Sequence, residues 1–103
     1  MFVVLYRWSL IHGAEESFVS AWQEVTKYFL DNFDSLGSRL HKGDDGIWYA
    51  YAQWKSAEQR NFAAENSPDL EDVFKQMRNA TKERYSEIVL DIHSDLLKRG
   101  NLD

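Results

Sequence analysis

The residues best suited to chemistry near neutral pH are His12, His41 and His93. None sits in a recognisable catalytic pattern. Asp91 and His93, two positions apart, would share a strand face and make half of a metal site, but two ligands at that spacing recur by chance and no metal is expected. The chain has no cysteine, which excludes a thiol nucleophile, thiolate metal ligation and disulfides. It carries no glycine-rich phosphate loop, no G-x-S-x-G elbow and no H-E-x-x-H. The Gly43-Asp44-Asp45-Gly46 segment is too short for a calcium loop and reads as a solvated turn. What the chain has in quantity is aromatic surface: four Trp, five Tyr and six Phe in 103 residues. That load points to a bulky core, an aromatic-lined cavity or a large interface.

Elements that would position these groups follow from the hydrophobic periodicity. Residues 2–10 (FVVLYRWSL) read as a strand whose two faces are both largely apolar, so both are expected to be covered. A helix is expected over about 14–33, with Phe18, Trp22, Val25, Phe29 and Phe33 as its buried stripe and Val19, Ala21 and Leu30 widening it. Residues 36–42 and 47–54 flank the Gly/Asp loop as a β-hairpin. In the second of these strands Trp48, Ala50, Ala52 and Trp54 share one face, and Ile47, Tyr49, Tyr51 and Gln53 share the other. Ala50 and Ala52 would let a helix or a ligand approach the sheet closely. A short helix over 56–65 has Ser56 as its N-cap, and a second starts with Ser67 as N-cap and Pro68 at its first position and runs to about Arg84. The last strand is expected over 85–93, and the polar segment after it reads as a tail.

The order β–α–β–β–α–β is the split βαβ, or ferredoxin-like, arrangement: an α+β domain over residues 1–95 with helices on one face of a four-stranded antiparallel sheet, then a tail at 96–103. The other sheet face would carry Ile47, Tyr49 and Tyr51. So large an apolar patch is expected to be covered by a second copy of the chain, giving a homodimer. Net charge is −5 and the basic residues are scattered, which argues against nucleic acid as a partner. The apolar run at residues 2–6 is far short of a membrane span and lacks the flanks of a signal peptide, so a cytoplasmic protein without membrane association is expected.

The chain resembles the antibiotic-biosynthesis-monooxygenase group of the dimeric α+β-barrel superfamily. The pieces that carry the likeness are FVVLYRWSL, HGAEESFVSAW, SLGSRL, the GDDG hairpin and the strand that ends in Trp54 before Lys55-Ser56-Ala57-Glu58. The resemblance implies a homodimer whose two sheets form one barrel, with a pocket in each subunit between sheet and helices. It also implies a Trp lining that pocket, which matches Trp54. The heme-degrading branch uses a helix His in a Phe-x-x-x-His pattern and a strand-1 Asn. Here Phe74 is followed four residues on by Arg78, and the first strand offers Tyr6 or Arg7, so heme degradation is not expected. The cofactor-independent branch oxidises electron-rich polycyclic phenols, with the substrate's own anion supplying the electrons. Such a site needs an apolar pocket and positioned donors for a developing phenolate. The pocket candidates are Trp54, Trp48, Tyr6, Arg7, Asn61, Phe74 and Arg78; Arg39, Tyr49 and Tyr51 are further donors, the two tyrosines belonging by parity to the dimer face. Two functions follow: a cofactor-independent monooxygenase-like enzyme for a small aromatic or quinone-type metabolite, or a non-catalytic small-molecule-binding or stress-related protein of the same fold.

Overall fold

The computed structural model describes residues 1–98. Strand β1 (Phe2–Leu10) leads through the Gly13 turn into helix α1 (Glu15–Asn32). Glu15 and Glu16 occupy the helix's positive end, and Glu15 Oε1 accepts the Gly13 N–H at 3.0 Å. The chain leaves α1 through Asp34, at φ 55°. Strands β2 (Ser38–Lys42) and β3 (Trp48–Trp54) form the hairpin. Its turn is closed by Gly46 at φ 84°, by the Ile47 N–H donating to Asp45 Oδ1 at 2.9 Å and by the Tyr49 hydroxyl donating to Asp45 Oδ2 at 2.6 Å.

Helix α2 (Ala57–Glu65) starts at Ser56, whose hydroxyl accepts the Gln59 N–H at 3.1 Å. Gln59 Nε2 in turn donates to the Phe33 carbonyl at 3.1 Å, which ties α2 to the end of α1. The restart at Ser67-Pro68 is a single 3-10 turn, Pro68–Leu70, and the α-helix proper is α3 (Glu71–Ala80). Ser67 makes no side-chain cap there; its hydroxyl turns back to the Ala64 carbonyl.

Helix α3 stops at Ala80 rather than running to Arg84. The Ala80 carbonyl accepts the Ile11 N–H at 2.9 Å, the Thr81 hydroxyl donates to the Met77 carbonyl at 2.7 Å, and Thr81 is already extended. The last strand therefore begins four residues early and comes in two parts, β4 (Thr81–Arg84) and β5 (Ile88–Asp91). Both run antiparallel to β1 on the same edge, so the sheet has order β2-β3-β1-β4 with β5 beside the start of β1.

The interruption is a one-residue slip. Trp8 pairs with Arg84 and Leu5 with Ile88, so Tyr6 and Arg7 stand opposite Tyr85, Ser86 and Glu87. An extra residue of this kind reverses side-chain parity beyond it. It turns Glu87 to the face of Tyr6. Without it, Glu87 would lie opposite Leu5 on the other face. The segment is pinned by Arg7, whose carbonyl accepts the Tyr85 N–H at 3.0 Å and whose guanidinium donates to the Ser86 carbonyl at 2.8 Å.

Register puts Tyr6, Trp8 and Leu10 on one face with Trp48, Ala50, Ala52 and Trp54, and the helices cover that face. One core cluster joins Trp8, Phe18, Ala50 and Ala80; a second joins Ala21, Val25, Leu70 and Val73 where α1 packs on α3. Leu30, expected in the stripe of α1, is exposed. Leu96 and Leu97 of the expected tail are exposed, and its residues 99–103 lie outside the described residues. Among the described residues no helix is long and apolar enough to cross a membrane.

Candidate active-site cavity

Between the sheet and its helices lies a cavity of about 820 Å³. Its floor is the sheet: Tyr6 and Trp8 of β1, Ser38 of β2, and Ala50, Ala52 and Trp54 of β3. The two alanines supply no bulk, so the space above them stays open. Trp54 is buried and meets the Phe29 ring edge-on at 5.5 Å; Trp22, Phe74 and Met77 complete the apolar wall. The volume falls within the range that takes a drug-sized ligand.

Helix α2 supplies the polar wall, through Arg60 and Asn61. Arg60 lies with its guanidinium carbon 5.4 Å from the centre of the Phe2 ring. It donates to the Tyr6 hydroxyl at 3.1 Å, to Glu87 Oε2 at 3.0 Å and to Asn61 Oδ1 at 2.9 Å. Burial works against its charge, but the hydrogen bonds to Glu87 and Tyr6 outweigh that and hold it firmly cationic. Ser38 adds a second polar point: its Oγ is buried and has no hydrogen-bond partner among the described residues.

Of the seven pocket candidates, Trp54, Tyr6, Asn61, Phe74 and Arg78 line this cavity. Arg7 and Trp48 are not among the residues that line it. Arg7 has the opposite strand parity to Tyr6, and its guanidinium serves Ser86 and lies over the Tyr85 ring on the outer face. Trp48 faces the helices as expected but sits at the far end of β3, half-buried, with the Phe18 ring centre 6.5 Å from its own. Tyr49 and Tyr51 lie on the outer face, paired with Arg7 and Leu5 across β1 and with His41 and Arg39 across β2; Ile47 precedes β3 and is half-buried. His41 and the Asp91–His93 segment lie at opposite sides of the sheet, and among the described residues no three His, Asp or Glu side chains cluster as metal ligands would.

Sequence reasoning missed Arg60, Glu87 and Ser38. Arg60 stands beside the candidate Asn61, and its position one turn into a short helix after Trp54 is a usable signal. Glu87 depends on the strand slip, which no spacing announces.

No family model and no curated protein matches the sequence. Among solved structures, SnoaB, a cofactor-independent oxygenase from Streptomyces nogalater, superposes with a TM-score of 0.78 at 15% identity, covering 94% of this chain and 97% of its own. An antibiotic biosynthesis monooxygenase superposes at 0.74 with 9% identity, covering 91% of this chain and 100% of that one. The chain has the fold of the antibiotic biosynthesis monooxygenase proteins. Rv0793 from Mycobacterium tuberculosis shares it, with a TM-score of 0.74 and 13% identity over 93% of this chain and 98% of that one. At these identities the likeness is one of fold, and function has to be argued from the cavity.

Proposed function

We propose that the chain is a small cofactor-independent oxygenase whose cavity takes an electron-rich phenol or hydroquinone. The observation that carries this reading is the cavity itself: an apolar space walled by Trp54, Phe29, Phe74 and Met77 with a fixed polar group at one side. The fold shared with SnoaB, a cofactor-independent oxygenase, supports it. In such a reaction the ionised phenol gives electrons to dioxygen; one oxygen atom ends on an unsubstituted ring carbon, which is a CH2 in the keto tautomer, and the other leaves as water, so that carbon becomes C=O. The protein's share is to bind the aromatic rings, exclude bulk water and stabilise the anion. Oxygen uptake with a panel of hydroquinones tests it. Uptake by the wild type that falls at least about tenfold in Trp54→Ala is expected; no uptake by the wild type overturns the reading.

A second reading, binding without turnover, draws support from the cavity wall. Among the described residues no histidine lines it, and Glu87 is engaged by Arg60. Saturable binding of the same hydroquinones without oxygen uptake would favour it.

The functional unit in either reading is a homodimer. Leu5, Tyr49 and Tyr51 on the outer face, with Ile88 and Leu90 exposed beside them, form an apolar surface suited to a second sheet. Sedimentation at micromolar concentration is expected to give a dimer; a monomer overturns the barrel.

A further inference from the structure

We propose that Tyr6 and Arg60 form an anion hook: the Tyr6 hydroxyl, polarised by Arg60, donates its hydrogen to an ionised oxygen of the cavity's ligand, and Glu87 limits the strength of that grip. The inference rests on the proposed use of the cavity for phenols but not on any turnover.

The hydroxyl of a tyrosine offers one hydrogen and accepts others. In Tyr6 the oxygen accepts from Arg60 at 3.1 Å. A guanidinium has no lone pair to accept in return, so the Tyr6 hydrogen must go elsewhere. Among the described residues no acceptor takes it, and Tyr6 lines the cavity. The structure thus leaves one polarised O–H available to whatever fills the space. The cation that polarises it is held in place: Arg60 donates to Tyr6, Glu87 and Asn61, and its guanidinium carbon lies 5.4 Å from the centre of the Phe2 ring. Its side chain is 17% exposed, so its charge is sheltered from solvent screening.

This arrangement discriminates between ligand states. A neutral hydroxyl would gain an ordinary hydrogen bond from Tyr6, whereas an ionised oxygen gains a charge-assisted one, roughly twice as strong, and feels the cation behind it. Glu87 opposes that preference. Its carboxylate, turned to this face by the slip between β4 and β5, partly neutralises Arg60. The other charged groups on the cavity wall are Glu65 of α2, Arg78 of α3 and Lys82, Glu83 and Arg84 of β4. All five are exposed, and water screens them more strongly than it screens Arg60. The ligand class that fits is an aromatic or enolic molecule with one acidic O–H.

A monohydroxyanthraquinone tests this, because its anion and neutral form absorb at different wavelengths. Titrated on the folded protein, the bound probe is expected to ionise about one pH unit below the free probe. Tyr6→Phe should still bind the probe but lose that shift; Arg60→Met should lose most of it, and Arg60→Lys should keep part. Glu87→Gln should enlarge the shift and tighten binding of the anion several-fold. A bound probe that ionises at its free value, a shift unchanged in Tyr6→Phe, or weaker anion binding in Glu87→Gln overturns the hook. A normal shift with no oxygen uptake on hydroquinones would sink the oxygenase reading and leave the hook standing, whereas failure of the probe to bind sinks both.

Discussion

Trp48 and Trp54 stand on the same face of the same strand, separated by two alanines, yet their surroundings differ. Over Trp48 the first turns of α1 bring Phe18 down between it and Trp8; the Trp8–Phe18 centroids are 5.0 Å apart and the rings meet edge-on. Over Trp54 come Phe29, near the end of α1, and α2, a nine-residue helix whose one fully buried side chain is Ala63 and whose Phe62 is turned outward, 59% exposed. A long amphipathic helix brings enough apolar volume to fill the space beneath it. A short helix that presents Arg60, Asn61 and small residues does not, and the unfilled volume becomes the cavity. The same sequence motif, Trp flanked by Ala, lies against Phe18 outside the cavity at one end and forms the cavity wall at the other, decided by what the helices bring above it.

The contrast can be broken at the packed end most severely. Phe18→Ala removes a fully buried ring from between two tryptophans and is expected to cost about 4 kcal/mol in denaturant unfolding. Trp54→Ala deletes a buried side chain that borders space already open; about 3 kcal/mol is expected, with ligand binding lost. If Trp54→Ala proves the more destabilising of the two, the cavity end is as tightly packed as the other. Ala52→Leu sharpens the comparison from the opposite direction. It should cost under about 1 kcal/mol, because the added methyl groups enter open space, while blocking hydroquinone binding in calorimetry.

The smallest effect is expected at the hairpin that joins the strands. The Tyr49 hydroxyl, and then the Ile47 N–H, hold the Asp45 carboxyl below the usual aspartate value of about 3.9. A group whose pKa is depressed on folding contributes stability above its unfolded value and loses it as pH falls through the folded one. The hairpin's hydrogen-exchange protection, corrected for the intrinsic rate, should therefore fall only at acidic pH, and Asp45→Asn should remove that dependence while leaving the cavity untouched. An unchanged acid response in the variant would mean that another group controls the turn.

Strand alternation made the helix-facing set Trp48, Ala50, Ala52 and Trp54 readable, and with it the place of a pocket. The ferredoxin-like order was equally readable, because each element carries its own period and turn chemistry. The end of α3 was not. Its apolar spacing continues past Ala80, and what stops the helix is a backbone hydrogen bond from Ile11, nearly seventy positions away in the chain.

Local pattern thus determined which residues share a face, since parity and helical period are properties of neighbouring residues. Tertiary structure decided which of those faces is filled and which charged group reaches it. Arg60 meets Tyr6 across 54 positions and Glu87 across 27. Glu87 is turned toward them only because two residues of β1 stand opposite three of the last strand. Spacing along one segment carries no information about a register set between two, and the polar side of the cavity is built on that register.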